Sequence, residues 1–179
     1  MRLFIAVEMP KEVKKALMAG QEQLDGQSAK LSLTKPQQLH LTLKFLGEVD
    51  EGMLEKLSSA LRSIKCLKFS TALTGEIGVF PDERSPHVVW AALSNETTQL
   101  QRMVEEKLLS HGFPKEPRFT PHITLARIKS VADSRAFMES VHAITLEKKQ
   151  FQVADFKLMK STLAPAGPIH ETLETFSLH

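Results

Sequence analysis

HLTL, residues His40 to Leu43, and HITL, residues His122 to Leu125, repeat one pattern of histidine, apolar residue, threonine and leucine. They lie 82 residues apart in a chain of 179 that holds only seven histidines. In a β-strand successive side chains alternate faces, so His40 and Thr42 share one face while Leu41 and Leu43 share the other. His122 and Thr124 stand likewise against Ile123 and Leu125. With the apolar faces packed on helices, the imidazoles and hydroxyls point away from the core.

The segments around the two motifs follow the same order. LFIAVEM (Leu3 to Met9) reads as a strand, and Pro10 opens a helix with Val13, Leu17 and Leu24 at helical spacing. A polar loop and LSLTKPQQ lead to the strand HLTLKFL. A helix follows with Asp50 as N-cap and a stripe of Met53, Leu54, Leu57, Leu61 and Ile64. KFSTALTGEIGVF is then a long strand. HVVWAAL restarts the series, Asn95 caps a helix that ends at Gly112, and HITLARI is the second histidine strand. Asp133 caps SRAFMESVHAI, FQVADFKLMKSTL is a long strand, and Glu171 to Leu178 is an edge strand. The 82-residue shift also superposes Leu43 on Leu125, Phe69 on Phe151 and Ala72 on Ala154. The order and register point to an internal duplication, repeat one about 1–84 and repeat two about 85–179, within a single domain spanning 1–179. Such repeats are expected to pack about a pseudo-two-fold axis, so that equivalent positions meet across a cleft.

Composition narrows the class. A 42% apolar and 25% charged chain is that of a globular domain, and a net charge of +2 is too small to announce non-specific duplex binding. The apolar run before Glu8 is too short for a signal-peptide core, so a cytoplasmic protein with no membrane role is expected. The lone cysteine, Cys66, excludes an internal disulfide and a cysteine-based zinc cage. No Cys, Asp or Glu adjoins either histidine motif, so no metal or cofactor is expected. Nucleotide-binding loops of the Gly-x-x-x-x-Gly-Lys or Gly-x-Gly-x-x-Gly type are absent as well.

Two imidazoles across a cleft suit acid–base chemistry, because each titrates near ~6.5 and an asymmetric substrate makes one a donor and the other an acceptor. Threonine hydroxyls two residues along can hold the non-bridging oxygens of a phosphate between them. Arg127 adds a forked donor, yet strict alternation puts it on the face opposite His122, so only a twist or bulge would bring it into the cleft. Its counterpart at the 82-residue shift is Phe45.

At these residues the chain resembles the two-histidine phosphoesterase superfamily, whose signature is a tandem HxTx motif, and within it the RNA 2′,3′-cyclic phosphodiesterases, also called 2′-5′ RNA ligases. RLFIAVEMP, HLTLKFLGEVDE, FTPHITLAR and KSTLAPAGPIHETL carry the resemblance over nearly the whole chain. It implies an α+β fold with two pseudo-symmetric lobes, each an antiparallel sheet with helices outside and the active cleft between. It also implies metal-independent opening of terminal RNA 2′,3′-cyclic phosphates to 2′-phosphates, with 2′-5′ ligation as the reverse-type reaction. His40 and His122 become the acid–base pair, and Thr42, Thr124 and Arg127 the phosphate contacts. Which histidine is the acid stays open, with His40 favoured as proton donor to the departing 3′ oxygen. The family often carries tyrosine in its closing Gly-Pro-x-Tyr, where this chain has His170, and the chain has no tyrosine. Contacts to a base or strand end would then fall to Phe4, Phe45, Phe119 or His170. Partners are expected to be RNA ends or nucleotides, with one chain sufficient for a full cleft. The alternatives are a binding module without turnover, and a phosphodiesterase for small cyclic nucleotides or ADP-ribose cyclic phosphate.

Overall fold

The structure, a computed structural model, describes residues 1–165 and 167–179. Its strands are β1 (Arg2–Glu8), β2 (Ala29–Leu33), β3 (His40–Glu48), β4 (Phe69–Phe80), β5 (Val88–Leu93), β6 (His122–Val131), β7 (Lys149–Val153), β8 (Asp155–Thr162) and β9 (Ile169–Ser177). The helices are α1 (Lys11–Gln21), α2 (Leu54–Arg62), α3 (Thr97–Leu109) and α4 (Ser134–His142). The strands form an α+β protein's antiparallel sheet in the order β7-β4-β5-β6-β3-β1-β8-β9, with β2 added on β6.

Apolar alternation builds this sheet. Leu3, Ile5 and Val7 of β1, Leu41 and Leu43 of β3, and Ile123 and Leu125 of β6 are all buried. They join one core with Leu17 of α1, Leu57 of α2, Leu100 of α3 and Phe137 of α4. Each of these aliphatic side chains is worth about 1.5–3 kcal/mol when fully removed from water. The opposite face of β3 and β6 is left half-open and carries the histidines and threonines.

At the middle of the sheet β3 and β6 touch through one pair, Leu41 with Ile123. A second contact between the halves pairs Ser70 of β4 with Gln152 of β7. In both pairs the partners are 82 residues apart, the shift that aligns the two motifs. Beyond Ile123 strand β6 exchanges its neighbour β3 for β2, whose Leu33 pairs with Ala126. That divergence opens the cleft.

Each half of the sheet draws on both halves of the chain. Strands β3 and β1 are joined by β8 and β9 and backed by α2 and α3, while β5 and β6 are joined by β4, β7 and β2 and backed by α1 and α4. Several elements depart from the sequence reading. FQVADFKLMKSTL is broken at Ala154 into β7 and β8, which pair with β4 and β1 respectively. The stretch read as a loop and approach forms β2, because the edge of β6 offers it a ladder. Asp133 caps α4 through Ala136 N at 3.0 Å, as expected. Asn95 and Asp50 do not cap with their side chains: α3 begins after Glu96, and a 3-10 turn, Glu51–Met53, precedes α2.

Candidate active site

A cleft of about 420 Å³ lies where β3 and β6 part. It is lined by His40, Thr42, His122, Thr124 and Arg127, together with Phe4, Phe45 and His170. Phe119 is not part of the lining. It is half-buried and packs against the core, because the approach to β6 turns it inward. The volume is within the range of ~300–1,000 Å³ usual for small-ligand sites.

Arg127 reaches the cleft through a β-bulge. On β6, Ala126 pairs with Val89 and Thr124 with Trp90, leaving Leu125 as an extra residue. The alternation therefore changes phase: Leu125 and Ala126 are both buried, and Arg127 is exposed on the histidine side. Strand β3 does the same, with Leu43 left over between Thr42 and Lys44 in the pairing to β1. There the bulge turns Phe45 to the cleft, 69% exposed. The cleft thus has a cationic flank and an aromatic one at equivalent positions.

The two imidazoles are held alike. His122 Nδ1 donates to the Thr120 carbonyl at 2.7 Å, since a carbonyl can only accept, and this leaves Nε2 as the basic nitrogen of the neutral ring. His40 makes the corresponding hydrogen bond to the backbone of Gln38, and its Nε2 lies 3.1 Å from Thr42 Oγ1. Burial lowers the His122 pKa, against the opposing pull of the Thr120 carbonyl. Burial also lowers His40, and the neighbouring His170 adds to this, bringing it down to about 4. Gln38 and Glu8 oppose the shift, and His122 reinforces it. His170 is itself lowered, by burial and by Arg127. Left to these surroundings, all three rings are neutral at pH 7.

The surroundings of the two histidines differ. His40 packs against Phe4 at 5.1 Å and His170 at 5.4 Å between ring centroids. Glu8 pairs with His40 across β1 and β3 and is ion-paired to Lys157. His122 instead meets the edge-on ring of Phe80 at 4.9 Å, which stacks on Trp90 at 4.9 Å. Gly78 allows this: a Cβ there would stand 2.2 Å from the Trp90 ring. Glycine is required by a close approach.

Arg2, Thr34, Gln38 and Ser161 also line the cleft, as do Leu163 and Pro168. The motifs do not reveal them because they lie outside both and arrive through β1, the segment from the end of β2 to the turn before β3, and the end of β8 with its connection to β9. The stretch KSTLAPAGPIHETL contains three of them and RLFIAVEMP contains Arg2, and those two stretches are the signal the sequence offers. Among the described residues no three His, Cys, Asp or Glu side chains stand together as a metal would require. Paired imidazoles, two hydroxyls and a guanidinium are a donor and proton-transfer set suited to a phosphoester.

Comparison with known proteins agrees. The family model for LigT-like phosphoesterases matches the chain twice, over residues 7–90 and 91–170, and the chain belongs to this family. An RNA 2′,3′-cyclic phosphodiesterase of Methanocaldococcus jannaschii is 34% identical over 176 residues, covering 97% of this chain and 99% of that protein. One from Thermotoga maritima is 35% identical over 178 residues, covering 97% and 93%. Among solved structures, TT0787 of Thermus thermophilus matches with a TM-score of 0.82 at 32% identity, covering 99% of this chain and 98% of that one. E. coli LigT complexed with 3′-AMP matches with a TM-score of 0.77 at 25% identity, covering 99% and 97%.

Proposed function

We propose that this protein is a phosphodiesterase that opens terminal RNA 2′,3′-cyclic phosphates to 2′-phosphates, without a metal, using His40 and His122 as proton donor and acceptor. The observation that carries the reading is the sharing of one cleft by two imidazoles, each with a backbone hydrogen bond two residues upstream and a threonine two residues downstream. The names of the relatives supply the substrate class.

In the proposed reaction a water oxygen bonds to phosphorus while the bond from phosphorus to O3′ breaks. His122 Nε2 takes the water proton, a role supported by its Nδ1–H being committed to Thr120. His40 delivers its proton to the departing O3′. The ring needs protonation to do so, and the negative charge of the bound phosphate, with Glu8 behind, favours it. Thr42, Thr124 and Arg127 bind the non-bridging oxygens as charge grows in the pentacoordinate state. Products are the 2′-phosphate and a free 3′-hydroxyl, and the two rings exchange protons with solvent to reset.

Phe45 and Leu163, 69% and 74% exposed at the cleft, offer a surface on which a base can stack, with Phe4 and His170 behind. The site is complete in one chain, which supports action as a monomer. The chain is read as a duplicated unit, repeats about 1–84 and 85–179, folded as one domain.

The test is hydrolysis of an RNA 2′,3′-cyclic phosphate in excess chelator. It should yield the 2′ product, and His40→Ala and His122→Ala should each lose about 10²-fold or more in rate. Either variant matching the parent removes the assignment, and tight binding with no product over hours leaves only a binding module.

A further inference from the structure

Gln21, the last residue of α1, is polar yet only 6% exposed. Its side-chain amide donates to two backbone carbonyls, Leu125 at 2.8 Å and Thr34 at 2.8 Å. Leu125 is the extra residue of the β6 bulge, and its carbonyl also receives the backbone N–H of Thr34 at 2.9 Å. Thr34 and Arg127 both line the cleft. One amide therefore ties the end of β2 to the bulge at the point where β6 changes neighbour.

We propose that Gln21 is a positioning residue for Arg127: it locks the Leu125 bulge, and the bulge decides that the guanidinium faces the two imidazoles. The inference rests on Arg127 being a phosphate contact of the proposed site. A one-residue slip returns β6 to strict alternation and sends residue 127 to the opposite face. The bulge interrupts the ladder between β5 and β6, so on the other edge the Thr34 N–H and the Gln21 amide together hold the Leu125 carbonyl in place. The other bulge is braced differently, which indicates that each flank is set separately. Lys44, next to Leu43, is buried against Glu105 of α3 at 3.1 Å and donates to the Pro114 carbonyl at 2.7 Å.

The test is a double-mutant cycle on the full chain, read by sulfate affinity in calorimetry and by cyclic-phosphate hydrolysis. Gln21→Met keeps the side-chain length and removes both donors. It is expected to weaken sulfate binding and kcat/KM by about tenfold, less than the ~10²-fold that a full 1 Å misplacement can cost. In an Arg127→Ala background the same change should cost less than twofold, while its effect on Tm persists in both backgrounds. Gln21→Asn, which keeps an amide too short to span both carbonyls, gives the same readout if Gln21→Met folds poorly. Unchanged sulfate affinity in the variant, or losses that multiply with Arg127→Ala, overturns the inference. Sulfate binding needs no turnover, so a parent protein without hydrolysis but with this coupling sinks the proposed reaction and leaves the role of Gln21 standing.

Discussion

His40 is the residue on which the proposed chemistry is most finely balanced. The sequence placed it on a strand face beside Thr42, and its facing groups come from distant segments: Glu8 of β1, His170 of β9 and His122 of β6. None is adjacent in sequence, so the alternation of HLTL could reveal the imidazole and not its environment. Burial and His170 bring its pKa from the free value of 6.5 to about 4. Between pH 6.5 and about 4 the unfolded chain takes up a proton that the folded chain refuses, so stability falls with pH across that window. Urea titrations at about pH 7 and about pH 4.5 should show the parent losing about 1–3 kcal/mol more than His40→Gln. His170→Phe removes the competing ring, so the acid-side loss should be smaller in magnitude and His40 should protonate at higher pH, visible in its NMR titration. A bound anion works in the opposite sense to burial. Sulfate should therefore bind more tightly as pH falls from about 7 to about 5, and an affinity independent of pH would show that neither imidazole meets the anion.

At the scale of elements, periodicity made most of the architecture legible. β1, β3, β5 and β6 appear where alternation and β-branched residues put them, and all four helices follow from their apolar stripes. The bulges were the blind spot. Alternation treats every residue alike, and the doubled burial at Leu43–Lys44 and Leu125–Ala126 is visible only once the partner strand is known. The conflict over Arg127 was the trace they left in the sequence. Lys44 is the clearest case of a residue hidden this way, a lysine at 3% exposure whose partner Glu105 is 61 residues on. Burial raises the Glu105 pKa, but hydrogen bonds from Glu116 N–H and Lys44 outweigh it and hold the carboxyl below its usual value. Breaking such a pair from one side leaves a buried charge. Glu105→Leu should cost about 3–5 kcal/mol by denaturant unfolding, and adding Lys44→Met should recover much of it. If the single and double variants are equally unstable, the pair is not what braces the β3 bulge.

The whole molecule is woven, and no reading of local pattern could show it. A repeat in sequence suggests a lobe in space, yet α1 of the first half packs on β6 of the second, and α3 of the second packs on β3 of the first. Strand β8, late in the chain, completes the half-sheet of β1 and β3, while β4 pairs with β5. A helix-to-strand crossing of this kind places Gln21 against the Leu125 bulge and Glu105 against Lys44, so each flank of the cleft depends on both halves of the chain. Neither half can then bury its core alone, and unfolding should be a single cooperative step. Trp90 provides a local probe, since it is the only tryptophan and sits beside His122 in one half of the sheet. Its fluorescence and the far-ultraviolet circular dichroism of all strands and helices should follow one urea curve, with the same midpoint and slope. Separated transitions would mean that the half-sheets hold together independently, and the cleft would then be an interface between two domains, free to open without loss of either core.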